Sequence, residues 1–208
     1  MKILIPTCRP REDLTSMIES LDKTSNGLEI FASCQQGASA SINRNLCLDQ
    51  IHVGETAIML DDDVEGFYDG WVNDMLFALF NPRVVVASAR LLKANGEFGP
   101  TCSRCMDPYP LEIEVKRHKH CVLPTAAIIF RHHGHRFDEN FIGSGWEDNS
   151  WMAEYCKADL NAIFVQSNRC KLIHLNCMSN QKNTWDHNKS HFFTLWPNGI
   201  AGAVDGSR

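Results

Sequence analysis

Long apolar runs are missing from this sequence of 208 residues. A transmembrane helix needs about 20 consecutive apolar residues, and no apolar run in the sequence approaches that length. The apolar segment at residues 3–5 is too short for the core of a secretory signal peptide, and we interpret it as a first β-strand. These absences predict a cytoplasmic protein without a membrane span.

A large excess of either charge is also missing. The chain carries 20 Lys and Arg against 25 Asp and Glu, a net charge of −5, so its overall charge gives no argument for binding to nucleic acid or membranes. A hydrophobic fraction of 44% and a charged fraction of 22% are ordinary for a soluble globular protein. The length suits a single compact domain with a substantial core.

The nine cysteines lack the pattern of a disulfide framework, because their number is odd and no secretory signal is recognisable. Cys102 and Cys105 have the spacing of half a zinc site. A structural Zn²⁺ would need further ligands, for which the sequence offers His118, His120, Cys121, Cys170, His174 and Cys177. A second Cys-x-x-Cys motif is missing, and the alternative is that the cysteines are small buried residues.

Along the first ninety residues, short apolar runs alternate with segments whose apolar residues have helical spacing. The predicted strands there are residues 3–6, 28–32, 57–60 and 84–89, and the predicted helices are residues 14–21, 38–50 and 67–80. This alternation predicts an α/β fold with a mostly parallel central sheet flanked by helices. The remaining predictions are a loop or hairpin at 91–114, strands at 122–130 and 162–165, a helix through Tyr155, and a tail of little periodicity beyond residue 180.

Three adjacent carboxylates, Asp61, Asp62 and Asp63, follow the apolar run at residues 57–60. They stand where a buried strand should end, and ligands of open α/β sheets collect at the carboxyl ends of strands. A divalent cation with oxygen ligands, Mn²⁺ or Mg²⁺ with a bound diphosphate, would relieve the repulsion between them. The alternative is a solvated acidic turn.

Two other motifs follow predicted strands or precede a helix. The segment Pro6-Thr7-Cys8-Arg9 comes after the first strand, and the segment Gly145-Trp146-Glu147-Asp148 forms a Gly-rich turn with two acids. With Arg44 and Asn45 and the acid cluster between them, the order of motifs resembles that of the GT-A glycosyltransferases, especially the inverting family 2 type. Their pattern is a strand ending in Pro-Thr, an Arg-Asn helix, a DxD motif and a Trp-Glu-Asp motif. The resemblance covers about residues 2–178.

The resemblance implies a single GT-A-like (Rossmann-like) domain. Residues 1–90 would bind a nucleotide-sugar, residues 91–180 would bind the acceptor and carry the catalytic base, and residues 181–208 would form a tail. The implied activity is that of a metal-dependent inverting glycosyltransferase. It would move a sugar from a nucleotide-diphosphate sugar, a UDP-sugar being favoured, to an acceptor hydroxyl.

The same resemblance implies roles in catalysis and metal binding for three acids and a histidine. Asp148 would be the general base, and Glu147 would bind or orient the acceptor. Asp63 would hold the metal together with His174 from a late strand, for which the alternatives are His187 and His191. Independently of the resemblance, Asp148 is also compatible with a helix-capping acid, and His174 with a core or zinc-site histidine.

The donor would be bound by residues from the first half of the chain, namely Pro6, Thr7, Arg9, Gln36, Arg44, Asp61 and Asp62. Asp61 would contact the ribose or complete the metal environment. The two arginines would donate bidentate hydrogen bonds to the nucleotide or its phosphates, the alternative being surface or structural arginines. The family's acid after the second strand is missing, so the nucleotide stays open; Gln35 or Gln36 would offer an amide instead.

The acceptor side is indicated by an aromatic residue and by two basic segments. Trp146, beside Gly145, offers a face for stacking of a sugar or a base, with core packing as the alternative. Basic residues cluster at 116–120 and at 131–136. They suit a polyanionic acceptor, either a phosphorylated glycan or DNA with a hydroxymethylated base, and the alternative is a solvated basic loop.

Two other classes of protein compete with the glycosyltransferase. A nucleotidyltransferase also uses a strand-end acid and Mg²⁺, but the Gly-rich phosphate loop expected after the first strand is missing from Thr7-Cys8-Arg9-Pro10. A non-catalytic sugar-binding or nucleotide-binding module has no need for both the acid cluster and the second pair of acids. The sequence does not predict the oligomeric state.

Overall fold

Eight strands form one sheet in the computed structural model, which describes residues 1–99, 112–114, 123–159, 161–175 and 184–199. The strands are β1 (Lys2–Ile5), β2 (Glu29–Ala32), β3 (Thr56–Leu60), β4 (Val64–Glu65), β5 (Val84–Leu92), β6 (Glu112–Glu114), β7 (Ala127–Arg131) and β8 (Ile163–His174). Cys102, Cys105 and the basic segment at 116–120 lie outside the described residues.

Five α-helices accompany the sheet. They are α1 (Thr15–Thr24), α2 (Ala40–Leu48), α3 (Trp71–Phe77), α4 (Glu147–Ala158) and α5 (Trp185–Leu195). Two 3₁₀ helices, Arg11–Leu14 and Ala78–Phe80, extend α1 and α3. In the described part of the chain, no helix is both long and apolar enough to cross a membrane.

The strand order is β2-β1-β3-β7-β5-β8-β4, and β6 also pairs with β8. β1 pairs in parallel with β2 and β3, and β5 pairs in parallel with β8, whereas β7 runs antiparallel between β3 and β5. The strands β1, β2, β3, β5 and β8 therefore share one direction. The predicted parallel sheet is confirmed for these strands, but the sheet as a whole is mixed because β4, β6 and β7 run the other way.

The alternation of side chains along each strand gives the sheet two buried faces. One face, with Leu4 and Met59, packs against residues of α2, α4 and α5 such as Trp151. The other, with Ile3 and Ile58, packs against α1 and α3. Helices on both faces explain why the central strands are mostly apolar on both sides.

The C-terminal region differs most from the prediction. Residues beyond 180 were expected to form a tail of little periodicity, but α5 lies there and contributes Phe192 to the core. Only Phe192 and Asn188 of this helix are buried, so its apolar pattern is too weak to predict from spacing. The predicted strand at 162–165 also continues further, as far as His174.

Candidate active site

The carboxyl ends of β1, β3 and β8 meet at one edge of the sheet. Asp61 follows the last residue of β3, and His174 is the last residue of β8. The short strand β4 turns back from the acid cluster and pairs with β8, with Val64 opposite His174. The backbone N–H of Leu175 donates to the carbonyl oxygen of Asp63 at 3.1 Å. This pairing places His174 beside acids that lie more than a hundred residues earlier in the chain.

Asp61, Asp63 and His174 form a group that we call the metal-ligand group. One ligand atom from each lies within 4.8 Å of the others, and all three side chains are half-buried. His174 Nε2 lies 3.1 Å from Asp63 Oδ1 and 3.9 Å from Asp61 Oδ2. Two carboxylates and an imidazole are a donor set that fits a divalent cation.

The electrostatics of His174 support the same fit. Burial alone would lower the pKa of His174, but the hydrogen bond to Asp63 and the charges of the three acids raise it above its ordinary value. The protein therefore concentrates negative charge at this imidazole. The raised pKa means that these acids favour a proton on the imidazole, and a bound cation would take the place of that proton.

Asp62 lies apart from the metal-ligand group. The Thr7 hydroxyl donates to the Asp62 carboxylate, and Arg9 Nε lies 3.3 Å from it. Partial burial raises the pKa of Asp62, although the Thr7 hydrogen bond and Arg9 oppose this shift. The structure thus brings together three residues that the sequence predicted on the donor side, at the ends of β1 and β3.

Arg44 connects this edge to the second pair of acids. It projects from α2, whose first turn is capped by the Ser39 hydroxyl, and it is only 6% exposed. Its Nη1 lies 2.6 Å from Glu147 Oε1, and its Nη2 lies 3.5 Å from Asp61 Oδ1. Burial alone would lower the pKa of Arg44, but Glu147, Asp61 and Asp148 together raise it. Its ion pairs in the described residues are with Glu147 and Asp61, so contact with phosphates stays a prediction.

Glu147 and Asp148, which we call the acidic pair, begin α4, where carboxylates interact favourably with the helix dipole. Glu147 is 3% exposed, and burial raises its pKa to about 7 despite the opposing charge of Arg44. Asp148 is half-buried; its pKa is also raised by burial, again against the effect of Arg44. Of the two, Asp148 is the more accessible to a substrate.

Thr125 holds the carboxylate of Asp148 and is a residue that sequence reasoning missed. Its hydroxyl donates to Asp148 Oδ2 at 3.2 Å and accepts from Arg44 Nη2 at 3.4 Å. The backbone N–H of Asn149 donates to the other oxygen, Asp148 Oδ1, at 2.8 Å. Thr125 precedes β7 and no local motif marks it, so only the antiparallel placement of β7 beside β3 brings it to this edge.

Trp146 lies among aromatic side chains of α5. Its ring centroid is 5.3 Å from that of Trp185, 5.1 Å from Phe192 and 5.6 Å from Phe193. These contacts favour the packing alternative for Trp146, and its stacking on an acceptor stays a prediction. Gly145 beside it is buried with a φ of 102°.

The loop after β2 lies at the same edge of the sheet. The Asn43 side chain accepts from the Ser33 hydroxyl at 2.7 Å and donates to the carbonyl of Gln35, which ties this loop to α2. Gln36 is exposed and Pro6 is half-buried. The contact of Gln36 with a base stays a prediction.

The basic segment at 131–136 begins at the opposite edge of the sheet from the metal-ligand group, and its role on the acceptor side stays a prediction. Because β7 is antiparallel to β3, Arg131 pairs with Thr56 at the start of β3. The Arg131 guanidinium donates to the backbone carbonyls of Leu79 and Val84, and Arg136 pairs with Asp49. Burial lowers the pKa values of His132 and His135.

The alternative metal ligands His187 and His191 do not belong to the metal-ligand group. His191 Nε2 lies 2.7 Å from Asp138 Oδ2, and His187 is exposed on α5. Among the described residues, the metal-ligand group is the one cluster of acidic, His or Cys side chains with the spacing of a metal site. Zinc ligation by Cys102 and Cys105 lies outside those residues.

Comparison with known proteins finds similarity in structure. No protein-family model and no curated protein matches the sequence. S. aureus TarS 1-349 in complex with UDP aligns at 18% identity and a TM-score of 0.59, over 85% of this chain and 61% of that one. This chain spans 40% of a longer TarS structure, at 15% identity, a TM-score of 0.60 and 93% of its own length.

Two further solved structures are similar. Glucosyl-3-phosphoglycerate synthase from Mycobacterium tuberculosis, solved with Mn²⁺, UDP-glucose and phosphoglyceric acid, aligns at 15% identity and a TM-score of 0.55, over 95% of this chain and 78% of that one. A197 from STIV aligns at 17% identity and a TM-score of 0.55, over 85% and 86%. These similarities confirm the GT-A-like α/β fold predicted from the sequence.

Proposed function

We propose that this protein is a metal-dependent inverting glycosyltransferase that moves a sugar from a UDP-sugar to an acceptor hydroxyl. The observation that carries the proposal is the pairing of two sets of residues at one edge of the sheet. Asp61, Asp63 and His174 form one set, and the acidic pair forms the other, with Arg44 in contact with both. A binding module would need one of these sets but not both.

The donor half of the site consists of the metal-ligand group with Thr7 and Arg9. Asp61, Asp63 and His174 would hold Mn²⁺ or Mg²⁺, and the chemistry that such an ion supplies is neutralisation of charge on the diphosphate leaving group. The imidazole ligand favours Mn²⁺ over Mg²⁺. The complexes of two structural neighbours with UDP and with Mn²⁺ and UDP-glucose support the choice of donor.

The acceptor half uses Asp148 as its base. The acceptor oxygen forms a bond to the anomeric carbon on the face opposite the diphosphate, while the bond from that carbon to the diphosphate oxygen breaks. The proton of the acceptor hydroxyl passes to the Asp148 carboxylate, which the Thr125 hydroxyl and the Asn149 N–H orient. The elevated pKa of Asp148 strengthens it as a base.

Glu147 differs from Asp148 in what it can reach. It is buried and one of its oxygens lies 2.6 Å from Arg44. We therefore assign Glu147 to holding Arg44 between the two halves of the site rather than to acceptor contact. The acceptor itself is a glycan in this proposal, because in the described part of the chain the basic segment at 131–136 begins at the far edge of the sheet from the acidic pair.

Release of UDP from a panel of UDP-sugars tests the proposal, with Mn²⁺ and a mixture of oligosaccharide acceptors present. We expect one donor to give UDP in a metal-dependent reaction, and Asp148→Asn to slow it by about 10² to 10⁴, the usual contribution of a general base. Asp22→Asn, an exposed residue of α1, is the matched control. Failure of the wild type to bind or consume any UDP-sugar would contradict the proposal.

A further inference from the structure

Asn188 is a fully buried polar residue of α5, with an exposed fraction of 0%. A buried amide is unfavourable unless its hydrogen bonds are made. The rest of α5 is mostly polar and exposed, and Phe192 is its other buried residue. The position of Asn188 therefore depends on the partners that its side chain finds.

The partners of the Asn188 side chain are backbone groups of residues 142–145, the turn before the acidic pair. Its Oδ1 accepts from the N–H of Ile142 at 3.0 Å. Its Nδ2 donates to the carbonyl oxygens of Ile142 at 2.8 Å and Gly145 at 2.9 Å, with a longer contact to Ser144 at 3.4 Å. One side chain thus fixes both ends of this turn.

The turn leads into a residue with unfavourable backbone geometry. Trp146 has a φ of 72°, in the left-handed region that bulky side chains rarely adopt. Such a conformation persists only where the surrounding structure holds it, and it is common at functional sites. The α5 side chains Trp185 and Phe192 pack against the Trp146 ring, and Asn188 holds the carbonyl group just before it.

The left-handed Trp146 sets the direction in which α4 begins. Glu147 and Asp148 are the first two residues of that helix. A change in the Trp146 backbone would rotate the start of α4 and displace Asp148 from Thr125. Displacement of a reacting group by about 1 Å can cost about 10² in rate.

We propose that Asn188 is a positioning residue, which holds the 142–145 turn and the left-handed Trp146 and thereby directs Asp148 toward the acceptor. The proposal rests on the proposed function for its effect on rate, but its structural part stands independently. α5 is accordingly a component of the acceptor half of the site.

The variant Asn188→Asp tests this role. It keeps the size of the side chain and the oxygen that accepts from Ile142, but it replaces the donating amide with an oxygen that faces carbonyl oxygens. Asn73→Asp, the same change at an exposed position of α3, is the matched control. Three quantities are compared: kcat and the donor KM for UDP release with Mn²⁺, and hydrogen–deuterium exchange of the peptide covering residues 142–149.

We expect kcat to fall by about 10² in Asn188→Asp with the donor KM unchanged within about twofold, and exchange to rise at 142–149 but not in β1 or β3. A purely structural role would instead raise exchange across the sheet and raise the donor KM as well. That result, or an unchanged kcat, would overturn the proposal. If the wild type releases no UDP, the proposed function fails, while the exchange data still decide whether Asn188 holds the turn.

Thr184→Val gives a milder test if Asn188→Asp does not fold. Thr184 immediately precedes α5, and its hydroxyl donates to the carbonyl of Ser144 at 3.1 Å. Removal of this hydroxyl therefore loosens the same turn. A smaller fall in kcat with unchanged donor KM would support the proposal. Unchanged kcat and unchanged exchange at 142–149 would overturn it.

Discussion

The two halves of the site are built in different ways. The metal-ligand group sits directly at the ends of β3 and β8, where hydrogen bonding between strands fixes each position. The acidic pair follows an irregular turn that is held by side chains and backbone groups from α2 and α5, including Asn188 and the N–H of Ala40, which donates to Gly143. The metal-ligand group therefore inherits its geometry from the sheet, whereas the acidic pair depends on contacts between distant parts of the chain.

Loss of Arg44 should have the largest effect on stability, because it breaks the link between the halves. Arg44→Met leaves Glu147 buried without its cation, and we expect the free energy of unfolding in urea at pH 8 to fall by about 3 kcal/mol. The loss should be smaller at pH 5, where Glu147 takes up a proton. Arg136→Met, which breaks the exposed pair with Asp49, should cost less than about 1 kcal/mol. Equal losses in the two variants would contradict the buried link.

Loss of His174 should affect the donor half alone. His174→Gln is expected to weaken Mn²⁺ binding by about 100-fold or more. Loss of a residue that only orients a metal ligand already costs about 10- to 100-fold, and His174 would be a ligand itself. UDP release should fall at limiting Mn²⁺ and recover at high Mn²⁺, and exchange at 142–149 should not change. His187→Gln, at an exposed position of α5, is the control. An unchanged Mn²⁺ requirement in His174→Gln would exclude this histidine as a ligand.

The pH dependence of stability should show a smaller effect, which comes in part from the acidic pair. Burial raises the pKa of Glu147 from 4.5 to about 7. The stability that protonated Glu147 contributes is therefore fully present below pH 4.5 and is lost as the pH rises through about 7. Activity should also rise with pH, because Asp148, whose pKa is raised by burial, must be ionised to act as a base.

Glu147→Gln tests this assignment. The neutral side chain should remove part of the fall in stability between pH 5 and pH 8, measured by urea unfolding. It should also move the acid limb of kcat/KM to lower pH, because one negative charge beside Asp148 is gone. A pH profile identical to that of the wild type would show that the acidic pair does not control the limb.

The grouping of Asp61, Asp63 and His174 was easier to predict than the surroundings of the acidic pair, for a physical reason. Asp61, Asp63 and His174 each follow or end an apolar strand, and strands of a common direction bring their carboxyl ends to one edge. Local pattern placed the two acids at the end of a strand, and the resemblance to the GT-A glycosyltransferases pointed to His174. The fold class followed from the same alternation of strands and helices.

The surroundings of the acidic pair could not be predicted in the same way. Thr125 and Asn188 carry no motif, and their partners lie 23 and more than 40 residues away along the chain. The sequence also does not reveal that β7 runs antiparallel to β3, so it could not predict that the basic segment at 131–136 begins at the opposite edge of the sheet. Strand direction and helix docking are tertiary properties, and single-sequence patterns do not encode them.

Calorimetric titration of UDP in the presence of Mn²⁺ tests the division into two halves most directly. The wild type and Asp148→Asn should bind UDP with equal affinity, whereas Asp63→Asn, or the wild type with EDTA, should bind it much more weakly. UDP release from the active donor should be lost in both variants. Absence of UDP binding by the wild type, or undiminished binding by Asp63→Asn, would contradict the account.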